Sequence, residues 1–104
     1  MTDFSGLEVT SDDAGSVAVA GDIDFATAPQ LRQALVDVLE ARGPDAVVDL
    51  SAVAFIDASG IGVLVGAAQL ADSKGGRLII RNPSRAVSLL LDVLDLDEAL
   101  AVQR

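Results

Sequence analysis

The sequence contains no cysteine and no histidine, and these two absences exclude most catalytic and metal sites. Without cysteine there is no disulfide framework and no thiolate metal site. Because histidine is absent as well, neither a Ser-His-Asp nor a Cys-His catalytic site can form. A zinc site would have to use carboxylates alone, which is an uncommon donor set, and the phosphate loop Gly-x-x-x-x-Gly-Lys-Ser/Thr is missing. We therefore expect a protein that is not an enzyme and that carries no metal and no cofactor.

Basic residues are few, since six arginines and one lysine stand against 16 acidic residues and the net charge is −9. Nucleic-acid binding requires a basic stripe that can meet the phosphates, so nucleic acid is not an expected partner. A less acidic protein surface suits this charge better.

Neither a targeting signal nor a membrane span is expected from the sequence. Met1–Phe4 has neither the positive charge nor the apolar run of a signal peptide. The longest apolar candidate, Ile61–Ala71, falls short of the roughly 18 residues that a membrane helix needs. The absence of cysteine is compatible with a reducing cytosol. Together these observations predict a cytoplasmic protein with no membrane partner.

What the chain does have is enough apolar material for a core. Hydrophobic residues make up 51% of the 104 residues but aromatic residues only 3%, so aliphatic side chains must fill the interior. This length suits one compact domain that spans residues 1–104. We expect that domain to be a monomer or a weak dimer.

Apolar periodicity predicts the element order β-β-α-β-α-β-α. Strands are expected at Leu7–Thr10, Ser16–Gly21, Ala46–Leu50 and Arg77–Arg81, a turn at Ser11–Gly15, and helices from Thr27 to Gly43-Pro44, from Ser59 to Ser73 and over Ala86–Leu94. The stretch Asp95–Ala101 is expected to hold a very short strand and a terminal half-helix. The predicted fold class is α/β, a small mixed β-sheet with an antiparallel N-terminal hairpin and a parallel core, covered by three to four helices.

Three local patterns make more detailed structural predictions. Thr27 and Gln30 have the spacing of a capping box, with a hydroxyl at the cap and an amide three residues later. Gly62 and Gly66 lower the helix propensity of an apolar helix, which indicates that they permit close backbone packing. The apolar run Ala46–Leu50 is typical of a strand that is covered on both faces.

The segment Phe55–Leu64 is the centre of the functional prediction, because it joins a strand to an apolar helix and holds Ser59 at the helix start. One interpretation makes Ser59 the N-cap, whose hydroxyl stabilises the helix by roughly 1 kcal/mol. The other makes it a phosphoacceptor, since a helix start tolerates a phosphate and Ala58 and Gly60 leave the hydroxyl accessible. The two are compatible. Asp57 is either an acid that favours the helix dipole or a group that orients Ser59 for a kinase.

Asp22 and Asp24 precede the first helix, and they are either ordinary loop acids or part of the same site. Loops that follow parallel strands cluster at the carboxyl ends of those strands, so this loop should adjoin that of Ser59. With Asp57, the two acids could bind Mg²⁺ as in a receiver domain. We set that alternative aside because Lys74 does not follow a late strand, as a receiver's lysine does, and because the chain is one strand–helix unit short.

Several motifs follow one another in a specific order along almost the whole chain. They are Gly21-Asp22-Ile23-Asp24 with Thr27-Ala28 and Leu31, Val48-Asp49-Leu50-Ser51, Phe55–Leu64 and Asn82-Pro83. In this order they resemble the STAS domain family, and within it the stand-alone bacterial anti-anti-sigma factors, also called anti-sigma factor antagonists. Each motif alone is weak evidence, and the ordered set is strong evidence.

The resemblance implies a function and a set of site residues. By resemblance, Ser59 is phosphorylated by a cognate anti-sigma factor with a GHKL-type kinase fold, and Ala58 stands where many members have a second serine. The unmodified protein binds the anti-sigma factor and frees the sigma factor, whereas the phosphorylated protein lets go until a PP2C-type phosphatase resets it. The implied partner-binding residues are Asp22, Asp24, Thr27, Asp57, Ala58, Ser59, Gly60 and Ile61.

Two other functions stay open at this point. A STAS domain can instead be a subunit of a stressosome or of a lipid or anion transporter, and a partner pull-down would identify that role. The loops that carry Asp22, Asp24 and Asp57 could alternatively form a nucleotide-binding module. Calorimetry with GTP and ATP would test that alternative.

Overall fold

The computed structural model describes residues 7–12, 14–43, 45–97 and 99–104. In chain order its elements are β1 Leu7–Ser11, β2 Ser16–Ile23, α1 Ala28–Ala41, β3 Asp45–Ile56, α2 Ala58–Ser73, β4 Arg77–Arg81, α3 Arg85–Val93 and β5 Ala101–Gln103. Parts of four sequence predictions lie outside the described residues, namely Met1–Phe4, Asp13 in the first turn, Pro44 after α1 and Glu98 in the terminal stretch.

The five strands form one mixed sheet in the order β1-β2-β3-β4-β5. The β1–β2 pair is antiparallel and the other three pairs are parallel, which confirms the predicted hairpin edge and parallel core. The C-terminal stretch differs from the prediction. Asp95 has a positive φ of 55° just after α3, which stops the helix, and the chain then adds β5 to the sheet edge. The described part of the chain holds no terminal half-helix, so three helices cover the sheet.

The three helices of the described residues all lie on one face of the sheet. Each parallel strand pair is joined by one helix, and strand order follows chain order. Right-handed crossovers therefore place all three helices on the same side. In β3, Ala46, Val48 and Leu50 are buried under them, whereas Val47 and Asp49 between them are only half-buried. The prediction that this strand is covered on both faces was wrong, because no crossover returns a helix to the other side.

Strand β3 is much longer than its apolar run, because it continues past Leu50 to Ile56 alongside β2. This extension carries the chain to the start of α2 at the end of the sheet where β2 also ends. None of the helices in the described ranges is long and apolar enough to cross a membrane.

Candidate functional site

The ends of β2 and β3 bring the predicted site residues together. Ile23 pairs with Ile56 and Asp22 pairs with Phe55 in the parallel register. One residue further, the Asp57 N–H donates to the Ile23 carbonyl oxygen at 3.1 Å. The loop between β2 and α1 therefore lies beside the start of α2, as the sequence predicted.

Helix α2 is capped by Asp57 and not by Ser59. Asp57 has an extended backbone, and its Oδ1 accepts from the Ser59 N–H at 2.8 Å and the Gly60 N–H at 3.3 Å. The helix begins at Ala58, so Ser59 is its second residue. The N-cap interpretation of Ser59 was therefore wrong. Strand β3 ends at Ile56, so the next residue, Asp57, occupies the cap position. The structural interpretation of Asp57 is confirmed, and its role toward a kinase stays a prediction.

The Ser59 side chain is half-buried and lies at the surface between α1 and α2. Its hydroxyl makes no hydrogen bond with any residue in the described ranges. It opens on the interhelix groove, which is lined by Arg32, Val36, Ser59, Gly62, Val63 and Gly66 together with Ala67, Gln69 and Leu70. The hydroxyl thus lies outside the core, on the wall of this groove.

The glycines of α2 have roles opposite to the predicted ones. A Cβ at Gly60 would lie 2.5 Å from Ile23 Cγ2 and 2.8 Å from Ile56 Cγ1, so the helix start packs too closely on the sheet for a side chain. A Cβ at Gly62 or Gly66 would meet nothing within 4 Å. The prediction of close packing at Gly62 and Gly66 was wrong, because both face the open interhelix groove.

The loop before α1 is fixed by hydrogen bonds between Asp24 and Thr27. Asp24 Oδ1 accepts from the N–H groups of Ala26 at 2.9 Å and Thr27 at 3.0 Å. Thr27 Oγ1 accepts from the Asp24 N–H at 2.9 Å and donates to the Asp22 carbonyl oxygen at 2.8 Å. The predicted capping box with Gln30 does not form, because Thr27 has a helical backbone and its hydroxyl turns back into the loop.

Exposure divides the predicted partner-binding residues into two groups. Thr27 and Ile61 are only 8% and 6% exposed, and Gly60 is also buried. These three residues therefore form the buried base of the site and are not accessible to a partner. The accessible members are Asp22, Asp24, Asp57, Ala58 and Ser59. No set of three or more acidic side chains in the described ranges is grouped closely enough to hold a metal ion.

Two exposed phenylalanines at this end of the sheet were missed by the sequence reasoning. Phe25, in the loop before α1, is 82% exposed, and Phe55, near the end of β3, is 49% exposed. Exposed aromatic side chains are typical anchors of protein–protein interfaces. The available signal was the position of Phe25 inside a polar loop, where no core contact is expected.

The other two motifs of the resemblance meet around Asp49. Its Oδ1 accepts from the Ser51 hydroxyl at 2.6 Å and the Ser51 N–H at 2.9 Å, and its Oδ2 accepts from Asn82 Nδ2 at 3.3 Å. Asn82 has a positive φ of 50°, and its N–H donates to the Gln103 carbonyl oxygen at 2.8 Å. The motifs thus link β3 to the end of β4 and to β5.

The Asp49 cluster predicts a dependence of stability on pH. The Ser51 hydroxyl, followed by its N–H and the Asn82 amide, holds the pKa of Asp49 below the ordinary value of 3.8. A lowered folded-state pKa means that the contribution is present above about pH 4 and is lost as the pH falls through the folded pKa. Asp49→Asn should lower the free energy of unfolding by about 0.5 kcal/mol near pH 6, a small value because solvent screens the group. Urea titrations from pH 2.5 to 7 would measure the difference.

The matched variant for this prediction is Ser51→Ala, which removes the strongest of the hydrogen bonds that lower the pKa of Asp49. It should reproduce most of the effect of Asp49→Asn. A difference between wild type and Asp49→Asn that stays constant across the acidic range would contradict the prediction.

Comparisons with known proteins agree on one family. The family model described as "Mlab, STAS domain" matches residues 7–103. The anti-sigma-B factor antagonist of Bacillus subtilis is 35% identical over 86 residues, which cover 83% of this chain and 78% of that protein. An anti-sigma factor antagonist from Mycobacterium paratuberculosis superposes with a TM-score of 0.78 at 28% identity, over 93% of this chain and 83% of that one. The Bacillus cell fate determinant SpoIIAA, solved in its phosphorylated form, shares the fold with a TM-score of 0.69 at 18% identity, over 95% of this chain and 92% of that one.

Proposed function

Since this chain belongs to the STAS domain family, we propose that it is an anti-sigma factor antagonist whose hold on its partner ends when Ser59 is phosphorylated. The observation that supports this most is the state of the Ser59 hydroxyl, which is half-buried at the surface and makes no hydrogen bond within the described ranges. A serine in that state can accept a phosphoryl group without losing a structural contact.

The surface around Ser59 has the composition of a docking site. We define the docking face as Asp22, Phe25, Phe55, Ala58 and Ser59, all of which are accessible at the same end of the sheet. The two phenylalanines supply apolar anchors of the kind that carry most of the energy in an interface. The small side chain of Ala58 leaves room beside the hydroxyl. This combination supports an unmodified form that binds the anti-sigma factor.

Phosphorylation changes the charge of this face and leaves its shape nearly unchanged. A phosphate adds about −1.5 to −2 charges, next to Asp57 and on the face that also holds Asp22. Binding a partner would remove water from this group, and like charges brought together in an interface cost several kcal/mol. Because Asp57 caps α2, the modification does not disturb the start of the helix.

Two partners act on Ser59, a kinase and a phosphatase. The anti-sigma factor itself is the serine kinase, of the GHKL type, and it transfers the γ-phosphoryl group of ATP to the Ser59 oxygen. A PP2C-type phosphatase hydrolyses the phosphoserine and restores the binding form. The chain acts in the cytoplasm as a regulator with no catalytic step of its own.

Incubation with the cognate anti-sigma factor and Mg-ATP should place a single phosphate on Ser59, which peptide mass spectrometry would locate. Ser59→Ala should remove the modification completely. Ser73→Ala, at the exposed opposite end of α2, should be modified as fast as wild type. A phosphate that persists in Ser59→Ala, or that maps to another residue, would contradict the assignment.

A further inference from the structure

Arg32 is a basic side chain with no partner among the described residues of a strongly acidic protein. It lies in α1 with an exposed side chain, and it makes no hydrogen bond or ion pair with any residue in the described ranges. The chain carries only seven basic residues and a net charge of −9, so acidic groups are plentiful. An arginine that stays unpaired in such a chain is available for an anion that the unmodified protein does not carry.

Arg32 and Ser59 lie at the same end of the interhelix groove. Helices α1 and α2 each lead from the carboxyl end of one parallel strand to the start of the next, so they run side by side in the same direction. Arg32 is the fifth residue of α1 and Ser59 is the second residue of α2, and both line the groove. A Cβ at Gly62 would meet nothing within 4 Å, so no side chain obstructs the space next to them.

Two of the N–H groups at the start of α2 are already engaged in the unmodified protein. Asp57 Oδ1 already accepts from the N–H groups of Ser59 and Gly60. The first turn of α2 contains no acidic residue, and the Asp24 carboxylate accepts from the N–H groups of its own loop. A phosphate on Ser59 therefore has the Asp57 carboxylate on one side and, along the same groove, Arg32, which is unpaired within the described ranges.

We propose that Arg32 binds the phosphate on Ser59 within the same chain, as a guanidinium–phosphate pair that spans the interhelix groove. This pair depends on the proposed function, because it requires that Ser59 is phosphorylated. It identifies Arg32 as the side chain that binds the phosphate. Arginine suits this role because its planar fork can donate two hydrogen bonds to one phosphate. The bound phosphate lies over Val36 and Val63, so modification also covers the groove between the helices.

Phosphoserine incorporated at position 59 during expression, by suppression of an amber codon, tests the pair without any kinase. The signal of the phosphate in ³¹P NMR is followed from pH 4 to 8. A cation in contact with the phosphate favours its dianion. The second ionisation should therefore occur about 1 pH unit lower in the phosphorylated wild type than in phosphorylated Arg32→Gln, and Arg32→Lys should fall between them.

The matched control is Arg85→Gln, which removes the same charge from the start of α3, away from the groove. It should titrate as the phosphorylated wild type does. Identical titration of wild type and Arg32→Gln would overturn the pair, as would an equal shift in Arg85→Gln. Failure of the anti-sigma factor to phosphorylate Ser59 would overturn the proposed function instead, and the titration distinguishes the two failures because it needs no partner.

Discussion

Aspartate at position 59 should lower the affinity for the anti-sigma factor by about 100-fold, whereas Ser59→Ala should bind as tightly as the unmodified protein. The new carboxylate lies next to Asp57 and on the docking face that also holds Asp22, and juxtaposed like charges in an interface cost several kcal/mol. A 100-fold change corresponds to about 2.8 kcal/mol. Phosphoserine should weaken binding further, because it carries about −1.5 to −2 charges. Biolayer interferometry with immobilised anti-sigma factor would give the four dissociation constants, for the unmodified protein, Ser59→Ala, Ser59→Asp and the phosphoserine form.

The control for this comparison is Thr10→Asp, which adds the same charge on the exposed side of β1, away from the docking face. Its affinity should stay within about twofold of wild type, since separated surface charges are screened at physiological salt. Equal affinities of Ser59→Asp and Ser59→Ala would refute the charge mechanism. All three variants should unfold at the wild-type urea concentration, because neither Ser59 nor Thr10 caps a helix.

Gly60→Ala should destabilise the protein by about 2 to 3 kcal/mol, the upper part of the range of about 1 to 3 kcal/mol expected when an extra methyl is forced into a packed core. The new Cβ would lie 2.5 Å and 2.8 Å from side-chain atoms of Ile23 and Ile56. Both isoleucines are buried, at 0% and 6% exposed, so they have little space into which to move. Urea unfolding followed by far-ultraviolet circular dichroism would measure the loss.

The same helix supplies the matched comparison. Gly62→Ala makes the same chemical change two residues later, where the Cβ would meet nothing within 4 Å. It should stabilise the protein by up to about 1 kcal/mol, because alanine favours the helix over glycine. If Gly60→Ala and Gly62→Ala changed stability in the same direction, the packing of the helix start against Ile23 and Ile56 would be wrong.

The sheet and its helices could be predicted because their signals are local. Apolar periodicity located the helices, and short connections with right-handed crossovers fixed the hairpin and the parallel core. The identity of the α2 cap could not be read in the same way, because Asp57 and Ser59 are two residues apart and both are good caps. The choice depends on where β3 ends. Pairing of Ile56 with Ile23 extends β3 past its apolar run, and Asp57 then occupies the cap.

The glycines and the exposed phenylalanines depend on contacts that are distant in sequence. Nothing local separates Gly60 from Gly62, and only the isoleucines from β2 and β3 make the first one essential. For Phe25 the position in a polar loop was a weak signal, since an aromatic residue in a loop can fold inward or stay in solvent. The structure leaves Phe25 82% exposed, in a loop that the hydrogen bonds between Asp24 and Thr27 fix.

The division of roles between Asp57 and Ser59 has a consequence for the lifetime of the protein. A serine that capped α2 would exchange its capping hydroxyl for a phosphate each time it was modified, so the local stability of the helix start, and with it the susceptibility to proteases, would change in every signalling cycle. Because the neighbouring carboxylate holds the helix, both forms should be degraded at the same slow rate. The cell would then keep one constant pool of this regulator and change only the fraction that is active.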